Sequence, residues 1–365
     1  MSDKLDCDVL IAGSGPTGMS AAIALTQAGY RVELIDKHES SLTFSRAILV
    51  NSQTLKLLQP YGLSDKIVSR GRPFKSIIIY GPSQKIIQGE IEPFSQNYIQ
   101  PTALPQLETE RCFTECLLEK GVRIKRQYEL KEFQDKTDHV ESILNTPNGV
   151  QQVRSRYLLG ADGFHSTVRQ GLAINYNQSV SPIQMYSQDA VIDWSSKSDL
   201  TIWILDCGAA IAMKIGHNIV RFAATNLETF QALGVTNQIE KTTWESQFNV
   251  YFAQVNCYGT GNVWLAGDAA HVHSPIGGRG MNMGIAEGLR FSQAIIDEDF
   301  KTYQTTCHNI SHSWVTKNKI FTQIASDKSI KGKIGREAIR LIFRLLSKID
   351  QKHAAQRIFN IVAIG

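Results

Sequence analysis

The chain has 365 residues, a hydrophobic fraction of 42%, a charged fraction of 20% and a formal net charge of +4 at pH 7. This length exceeds the roughly 100–200 residues of a typical single domain and predicts two closely joined domains. The small net charge and the scattered basic residues argue against a nucleic-acid-binding protein. Because no run of 18 or more apolar residues occurs, the sequence predicts no membrane-spanning helix.

The cysteines and the N-terminus indicate a cellular compartment. The six cysteines lack the paired spacings of metal sites, and the opening Met-Ser-Asp-Lys-Leu-Asp does not resemble a signal peptide. Reduced thiols are the rule in the cytoplasm. We therefore expect a cytoplasmic protein without a bound metal.

The first segment places a glycine-rich motif between a strand and a helix. Residues 8–12 predict a buried parallel strand, Gly13-Ser-Gly15-Pro-Thr-Gly18 follows, and a second strand ends at Asp36. This is the βαβ dinucleotide fingerprint, in which the glycines allow a tight turn, approach of the pyrophosphate and close helix–strand contact. The acid at the end of the second strand bonds to a ribose. The candidate cofactor-binding residues of this unit are Gly13, Gly15, Pro16, Thr17, Gly18, Asp36 and Lys37.

A second motif follows a predicted strand in the middle of the chain. It reads Gly160-Ala-Asp162-Gly163-Phe-His-Ser166-Thr-Val-Arg169. The strand delivers Asp162 at its carboxyl end, Gly163 allows a tight turn, and Ser166 begins the next helix. Four shorter strands are predicted before it, at 122–125, 128–133, 142–145 and 150–153.

The third motif spans residues 261–288, and the rest of the chain is organised around it. An apolar run at 263–266 predicts a short buried strand that ends before Asp268, and a glycine-rich turn then leads into a helix near Gly280. Bare backbone, a carboxylate and a helix N-terminus suit a large anionic or electron-accepting ligand. Glycines admit close backbone approach, the carboxylate accepts hydrogen bonds from a polyol, and the helix start carries partial positive charge.

These motifs resemble one family. The pattern Gly-Asp-Ala-Ala-His, Pro and Gly-Gly-x-Gly-x-Asn-x-Gly stands at Gly267–His271, Pro275 and Gly277–Gly284. With the other two motifs it resembles the flavin-dependent aromatic hydroxylases of the para-hydroxybenzoate hydroxylase type, over residues 8 to about 295. Two positions depart from the family pattern, Arg279 where many members carry Gln and Glu287 where many carry Asp. Neither changes a backbone role, so the resemblance implies bound FAD.

The resemblance also implies which side chains contact the cofactor. Arg46 precedes a helix capped at Asn51 or Ser52 and would lie along the phosphates of the flavin nucleotide, or else be a solvated surface residue. Gln106 opens a helix in the form Gln-x-x-x-Glu and would contact the flavin, or else be only a polar residue at a helix start. In the family, Asp268 faces the ribityl chain, and the Asp162 loop touches flavin and nicotinamide nucleotide alike. The remaining cofactor candidates are Gly163, Gly267, Pro275, Gly278, Gly280, Met281 and Asn282.

No catalytic side chain is assigned. The reactive edge of the flavin is expected at the turn formed by Pro275, Gly277, Gly278, Gly280, Met281 and Asn282.

The implied fold is α/β, with a discontinuous Rossmann-like FAD-binding domain, a β-rich substrate domain and a helical C-terminal region. We assign 1–72, 102–173 and 256–298 to the FAD-binding domain, 73–101 and 174–255 to the substrate domain, and 299–365 to the helical region. Within the substrate domain, alternation predicts strands at 189–194, 200–206, 209–215 and 219–225, and helices at 227–233 and 238–249. Candidate pocket residues, each more typical of a core than of a substrate contact, are Tyr186, Trp194, Trp203, Met213 and Arg221.

The resemblance implies a FAD-dependent monooxygenase. It would hydroxylate a phenolic or polyketide-like aromatic ring with NADPH or NADH and O2, via a flavin C4a-hydroperoxide. Such chemistry needs a dry pocket and a positive potential at the flavin edge, which the helix start near Gly280 supplies. Two alternatives share the three motifs: a ubiquinone-pathway ring hydroxylase or other flavin oxidoreductase of this fold, and a non-catalytic flavin-binding redox sensor. Turnover of NAD(P)H with an aromatic substrate separates an enzyme from a sensor.

The tail alternates basic residues with pairs of Ile and Leu from Ile330 onward. A basic amphipathic helix of this kind either packs on its own domain with a solvated cationic face, or lies on an anionic membrane. We favour packing, because amphipathicity alone reports one buried face. The basic residues are Lys331, Lys333, Arg336, Arg340, Arg344, Lys348, Lys352 and Arg357.

Overall fold

A computed structural model describes residues 4–41, 47–91, 99–194, 197–349 and 354–359. Arg46, a predicted cofactor contact, lies outside these residues. The described chain forms two eight-stranded sheets and one three-stranded sheet. The strands are β1 (Cys7–Ala12), β2 (Val32–Asp36), β3 (Leu49–Val50), β4 (Arg72–Pro73), β5 (Ser76–Tyr80), β6 (Lys85–Glu90), β7 (Thr102–Ala103), β8 (Lys125–Arg126), β9 (Glu129–Asp135), β10 (Val140–Thr146), β11 (Gly149–Gly160), β12 (Tyr176–Ile192), β13 (Leu200–Ile204), β14 (Ala209–Lys214), β15 (Ile219–Ala224), β16 (Ile239–Val255), β17 (Gly259–Thr260), β18 (Val263–Leu265) and β19 (His271–Val272).

Ten α-helices accompany these strands in the described ranges, joined by short 3-10 turns that include Gly267–Ala269. Their bounds are α1 (Pro16–Gln27), α2 (Ser52–Leu58), α3 (Leu63–Arg70), α4 (Gln106–Glu119), α5 (Thr167–Gly171), α6 (Leu227–Gln231), α7 (Gly280–Asp297), α8 (Phe300–Ser326), α9 (Ile330–Ile349) and α10 (Ala354–Phe359).

The first sheet is built around parallel strands. Its order is β17-β18-β11-β1-β2-β8, with the β9–β10 hairpin continuing from β11. Strand β1 pairs parallel with β2 and β11, and β11 pairs parallel with β18. Val9, Leu10 and Ile11 are fully buried, as expected for a parallel strand covered on both faces. The predicted βαβ unit is therefore confirmed.

The second sheet is mostly antiparallel, in the order β19-β16-β12-β15-β14-β13-β5-β6. Its two longest strands are the paired β12 and β16, each 17 residues long. The small third sheet has the order β3-β7-β4. The predicted fold class is confirmed by the parallel sheet, the strand-rich part and the helical C-terminal region. The predicted domain boundaries stay a prediction.

One predicted helix is wrong. Residues 238–249 were expected to be helical, but they belong to β16, which pairs with β12 from Tyr176 opposite Val255 to Ile192 opposite Ile239. Phe248, Val250 and Phe252 are buried at alternate positions, which is the period of a strand. The polar first half of β16 carries no such signal, and the long partner strand supplies the hydrogen bonds that decide its conformation.

The predicted orientation of the tail helix is also wrong. Helix α9 packs on the body of the protein as expected, but its buried residues include Arg336 and Arg340, while Ile330, Ile334 and Leu345 are exposed. The Arg336 guanidinium donates to the carbonyls of Ile324, Asp327 and Asp206 at 2.6–2.8 Å. These carbonyls lie at the end of α8 and just after β13, where backbone acceptors lack partners within their own element. They therefore hold the Arg336 side chain in the interior, against the hydrophobic pattern.

The candidate pocket residues belong to the core of the second sheet. Tyr186 and Trp194 are buried and pack with Phe222 and Phe230, and Trp203 lies against the same cluster. Met213 belongs to a neighbouring apolar cluster. Arg221 is buried, pairs with Asp189 and lies 4.6 Å over the Trp244 ring. These positions follow the core interpretation.

Candidate cofactor site

The three motifs converge on one edge of the first sheet. In the parallel register Ala12 lies opposite Gly160, and Gly160 lies opposite Leu265. The loops that leave β1, β11 and β18 therefore begin side by side at the carboxyl edge, and β2 brings Asp36 to the same edge. Ligands of open parallel sheets bind at this edge.

The glycine-rich loop after β1 makes the closest contacts with its neighbours. Gly13 has φ +103°, and a Cβ there would lie 2.2 Å from the carbonyl oxygen of Ala161 in the second loop. A Cβ on Gly18 would lie 1.9 Å from the Gly13 carbonyl oxygen. Both glycines are thus required by the fold itself.

Gly15 differs from these two glycines. It caps α1 with φ −71° and ψ 177°, which any residue adopts, and a Cβ would meet no atom of the described residues within 4 Å. No described contact within the chain explains the glycine. The open space beside the start of α1, with Pro16 as its first residue, is where an anionic group would meet the unpaired N–H groups of the helix.

Asp36 is held at the end of β2. Its Oδ2 accepts hydrogen bonds from the amide and hydroxyl of Ser14 at 2.8 and 2.7 Å, and its Oδ1 accepts from the amide of His38 at 2.9 Å. The carboxylate therefore lies against the glycine-rich loop, while its hydrogen bond to a ribose stays a prediction. Lys37 is the next residue and is exposed.

Asp162 caps the helix of the second motif. Its Oδ2 accepts hydrogen bonds from the amides of Thr167 and Val168 at 2.7 and 3.2 Å, while its buried Oδ1 has no hydrogen-bond partner among the described residues. Burial raises the pKa of this carboxyl group above its ordinary value. Gly163 follows with φ +80°, so the turn needs its glycine.

Arg169 joins the second motif to the third. Its guanidinium donates to the carbonyl of Ala269 at 2.9 Å and to the carbonyl of Phe164 at 2.7 Å, and it lies 4.0 Å over the ring of Tyr176. The Tyr176 hydroxyl donates to the carbonyl of Asp268 at 3.0 Å. Arg169 and Tyr176 thus fix the turn that carries Asp268. The side chain of Asp268 itself is exposed.

A buried carboxylate on α7 also holds the Gly267 turn. Glu287 on α7 accepts the amide of Gly267 at 2.8 Å through Oε2, and its Oε1 lies 3.0 Å from the Tyr258 hydroxyl and 2.9 Å from His271 Nε2. Glu287 and His271 are 2% and 1% exposed, so these hydrogen bonds face little competition from water. We call Glu287, His271 and Tyr258 the Glu287 network.

The two histidines of the third motif have opposite electrostatic environments. Burial alone would lower the pKa of His271, but the Glu287 carboxylate reverses this and raises it. Burial lowers the pKa of His273 to about 3. Its Nδ1 lies 2.8 Å from the Ser274 carbonyl, so the neutral ring donates there.

Helices α1 and α7 meet through small residues, which brings the first and third motifs together. A Cβ on Gly284 would lie 2.3 Å from Thr17 Oγ1, and one on Gly288 would lie 2.4 Å from the Thr17 carbonyl oxygen. The Ser20 hydroxyl donates to the carbonyl of Ile285 at 3.1 Å. This close crossing sets the start of α7 beside the glycine-rich loop.

The turn before α7 is clamped by Asn282. Gly277 and Gly278 have φ +88° and +61°, and the Gly278 amide donates to the Pro275 carbonyl at 2.9 Å. The Asn282 amide group donates to the carbonyls of Leu49 and Gly278 at 2.7 and 2.8 Å, and its oxygen accepts the Asn51 amide at 2.9 Å. The helix starts at Gly280, where the first N–H groups lack intrahelical partners.

Two further candidates from the sequence stand at the starts of helices α4 and α2. Gln106 opens α4, and its side chain donates to Glu110 at 2.8 Å. Burial raises the pKa of Glu110, and Gln106, Ser41 and Arg126 oppose that shift. Asn51, one of two predicted caps, does cap α2 and accepts the Thr54 amide at 2.8 Å.

A cavity of about 450 Å³ opens between α2, α7 and α8. Its wall includes Arg279 and Asn282 of the turn, Arg290 of α7 and Lys317 of α8. The Arg279 guanidinium lies 4.3 Å over the ring of Trp314. The wall combines these cationic side chains with apolar ones, among them Leu57, Met283 and Ile310.

Sequence reasoning missed the supports of the site. Glu287 was noted only as a departure from the family pattern, and the roles of Tyr258, Tyr176 and Arg169 were not foreseen. The spacing of His271 and Glu287 around the glycine-rich turn could have raised a carboxylate–histidine pair. Tyr258 and Tyr176 carry no signal in the sequence, because only the fold brings them to the turn.

Comparisons with known proteins agree with this arrangement. Residues 6–222 and 221–298 match the family described as FAD binding domain. A curated relative, 6-methylpretetramide 4-monooxygenase of Streptomyces rimosus, is 31% identical over 316 residues, covering 79% of this chain and 55% of that protein. The chain thus spans little more than half the length of this relative.

Solved structures share the fold at low identity. The p-nitrophenol 4-monooxygenase of Pseudomonas putida has a TM-score of 0.74 at 19% identity, covering 92% of this chain and 98% of that one. An aklavinone-11 hydroxylase, solved with FAD and aklavinone, has a TM-score of 0.76 at 19% identity, covering 90% of this chain and 71% of that one. The chain therefore belongs to the FAD-binding domain family and has the fold of the para-hydroxybenzoate hydroxylase-like flavoproteins.

Proposed function

We propose that the protein is a FAD-dependent monooxygenase that hydroxylates a phenolic or polyketide-like aromatic ring with NAD(P)H and O2. The observation that carries this proposal is the convergence of three motif loops and the start of α7 at one sheet edge. Membership of the FAD-binding domain family supports the cofactor, and the named relatives are monooxygenases.

The residues at this edge fit FAD. Gly15 leaves bare, open backbone at the start of α1, where a pyrophosphate would bind. Asp36 would bond to the adenosine ribose, and Asp268 would accept hydrogen bonds from the ribityl hydroxyls. Pro16, Thr17, Gly18, Lys37, Arg46, Gln106, Asp162 and Gly163 complete the proposed cofactor set with Gly13, Gly267 and the turn Pro275–Asn282.

Bound FAD supplies electron transfer from the nicotinamide to O2 and delivery of oxygen to the ring; the chain supplies position and field. The start of α7 would offer unpaired N–H groups and partial positive charge to negative charge that develops on the flavin edge. Asn282 fixes that helix start through three hydrogen bonds, to Leu49 of β3, to Asn51 at the start of α2 and to Gly278 of its own turn. The Glu287 network keeps the Gly267 turn in place.

The test is NAD(P)H oxidation by the FAD-loaded protein across a panel of phenols and polyketide-like aromatics. A stimulating substrate should gain one oxygen atom from 18O2 by mass spectrometry. A protein that binds FAD but gives no stimulated turnover, or whose product carries no label, would refute the monooxygenase proposal. A protein that refuses FAD would refute the cofactor as well.

A further inference from the structure

Helix α9 presents an apolar stripe to solvent. Ile330, Ile334, Leu341, Leu345 and Ile349 follow one another at intervals of four or seven residues, which aligns them on one side of a helix. All five are exposed, from 50% for Leu345 to 79% for Ile349. Ala338 and Ile342 are exposed on the same side. We call these seven residues the α9 stripe.

The opposite side of α9 is anchored to the protein. Arg336 and Arg340 are buried, and their guanidinium groups donate to the backbone carbonyls of Asp206 and Ile204 at 2.6 and 3.1 Å. Arg340 also pairs with Asp206 at 3.0 Å, and Phe343 enters an apolar core cluster with Ile204. The anchored face thus fixes the orientation of α9, with the α9 stripe toward solvent. The exposure of the stripe therefore does not come from fraying of a helix end.

The charge of α9 is strongly positive. The helix contains six basic residues and one acid, a net charge of +5, whereas the whole chain has a net charge of +4. The rest of the chain is therefore slightly acidic. Lys331 and Lys333 stand exposed at one end of the helix and Lys348 at the other. Cations thus flank the α9 stripe at both ends.

We propose that the α9 stripe is a docking surface for an anionic lipid bilayer. An amphipathic helix with exposed Ile and Leu between lysines lies in the headgroup region, its apolar side chains in the acyl boundary and its cations at the lipid phosphates. At 1.5 Å per residue the helix offers a contact about 30 Å long. No described helix combines the length and the apolar character of a membrane span.

Self-association through the same face is disfavoured by charge. In a two-fold dimer each patch meets its own copy. Antiparallel pairing of two α9 helices would set Lys331 and Lys333 of one against Lys348 of the other, and parallel pairing would set each lysine against itself. Like charges at close range oppose both arrangements, whereas an anionic membrane attracts all of these lysines.

The test is cosedimentation of the FAD-loaded full chain with vesicles of 70% phosphatidylcholine and 30% phosphatidylglycerol, and with phosphatidylcholine alone. We expect at least tenfold stronger binding to the anionic vesicles, weakening as salt is raised. Leu341→Gln/Leu345→Gln should reduce that binding at least tenfold. The matched control is Leu118→Gln/Val150→Gln, which removes two exposed apolar side chains from α4 and β11 and should bind as wild type does.

A second pair, Ile330→Gln/Ile349→Gln, checks the result with the two most exposed members of the stripe. Unchanged melting temperature and FAD content identify variants that fold normally. Equal binding to both vesicle types, or no binding, overturns the proposal. Anionic binding that survives both stripe variants would also overturn it, because the lysines alone would then explain the attraction. A wild-type dimer that both pairs dissociate, seen by sedimentation equilibrium without vesicle binding, would assign the stripe to a second copy instead.

Discussion

At the residue scale, Asp268 and Asp162 follow neighbouring parallel strands but have different surroundings. Asp268 is exposed on its turn, whereas Asp162 is engaged in capping α5. A carboxylate that already accepts hydrogen bonds from backbone amides contributes mainly to the stability of the fold. Asp268 is exposed on a turn that Glu287, Arg169 and Tyr176 fix, and this accessible position suits contact with a ligand.

Asp268→Ala should weaken FAD binding more than Asp162→Ala. The lost charge-assisted hydrogen bond costs about 1.5–3 kcal/mol, which is at least tenfold in Kd, while the melting temperature should stay unchanged. Asp162→Ala should instead lower stability by about 1 kcal/mol through the lost helix cap. FAD titration and thermal unfolding measure both effects, with Asp138→Ala, an exposed acid on a distant hairpin, as control. Equal FAD affinity in wild type and Asp268→Ala would contradict this assignment.

Glu287→Gln should destabilise the protein and loosen FAD. A glutamine has one acceptor oxygen where the carboxylate uses two, so the Gly267 amide, Tyr258 hydroxyl or His271 ring would lose its partner. A buried unsatisfied group costs about 1–3 kcal/mol in the free energy of unfolding. Urea unfolding and FAD titration measure the outcome, and Glu287→Asp, which keeps the carboxylate, should recover part of both. If glutamine and aspartate behave alike, charge has no role in the network.

At the element scale, the glycines of the first loop have two different reasons to be glycine. Gly18 faces the Gly13 carbonyl inside the fold, whereas Gly15 faces open space. The same contrast holds between Gly288, packed against α1, and Gly278, whose Cβ would only touch Leu49 at 3.4 Å. Close helix crossing and ligand approach both select glycine, and only the surroundings distinguish them.

Gly15→Ala should leave the unfolding free energy within about 0.5 kcal/mol of wild type, because the added methyl meets no atom of the described residues within 4 Å. It should nevertheless weaken FAD binding, since the methyl would occupy the approach to the start of α1. Gly18→Ala should destabilise the protein by about 1–3 kcal/mol through overpacking. Urea unfolding without FAD, followed by FAD titration, compares the two. A Gly15→Ala variant with normal FAD affinity would show that no ligand group comes near this backbone.

Gly278→Val should harm chemistry more than cofactor binding. Valine is strained at φ +61° and would shift the turn that starts α7, while the βαβ unit still holds the adenine half of FAD. Reduction by NAD(P)H should slow, and less product should form per NAD(P)H oxidised. Gly149→Val is the matched control, because Gly149 also has positive φ, with open space around it, in the β10–β11 turn. An unchanged reduction rate and product ratio in Gly278→Val would make this turn ordinary scaffold.

At the scale of the whole molecule, stability couples to pH through the two histidines of the third motif. His271 has a raised pKa, so its contribution is complete below the unfolded value of about 6.5 and is lost as pH rises through the folded value. His273 has a pKa near 3 in the folded protein. Its neutral ring contributes stability above pH 6.5, and that contribution is lost as pH falls toward 3.

Acidification from pH 6.5 to pH 5 should therefore cost wild type about 2 kcal/mol at His273 alone, since 1.5 pH intervals at about 1.4 kcal/mol each are involved. In His273→Gln this part of the loss should be absent. Urea unfolding of both proteins at the two pH values gives the difference, in which carboxylates common to both cancel. An equal loss of stability in wild type and variant would show that the pKa of His273 is not lowered in the folded protein.

Much of the site was accessible from the sequence because local spacing encodes it. A strand of apolar residues, glycines at fixed offsets and an acid at the next strand end define a βαβ unit within 30 residues, and Asp36, Asp162 and Asp268 each follow such a strand. Parallel strands then bring their carboxyl ends together by geometry. These relations predicted a dinucleotide-binding βαβ unit, and the resemblance of the three motifs to the aromatic hydroxylases implied the fold class and FAD.

The tertiary structure decided what depends on partners distant in the chain. The polar half of β16 is a strand because β12 lies beside it, and Tyr258 reaches Glu287 only because α7 and β17 are folded onto one another. In the tail helix α9, Arg336 and Arg340 are buried because their guanidinium groups donate hydrogen bonds to backbone carbonyls. No sequence pattern predicts these acceptors. Periodicity measures the average preference of a side chain for water or core, whereas a buried hydrogen bond depends on which acceptor the fold places opposite it.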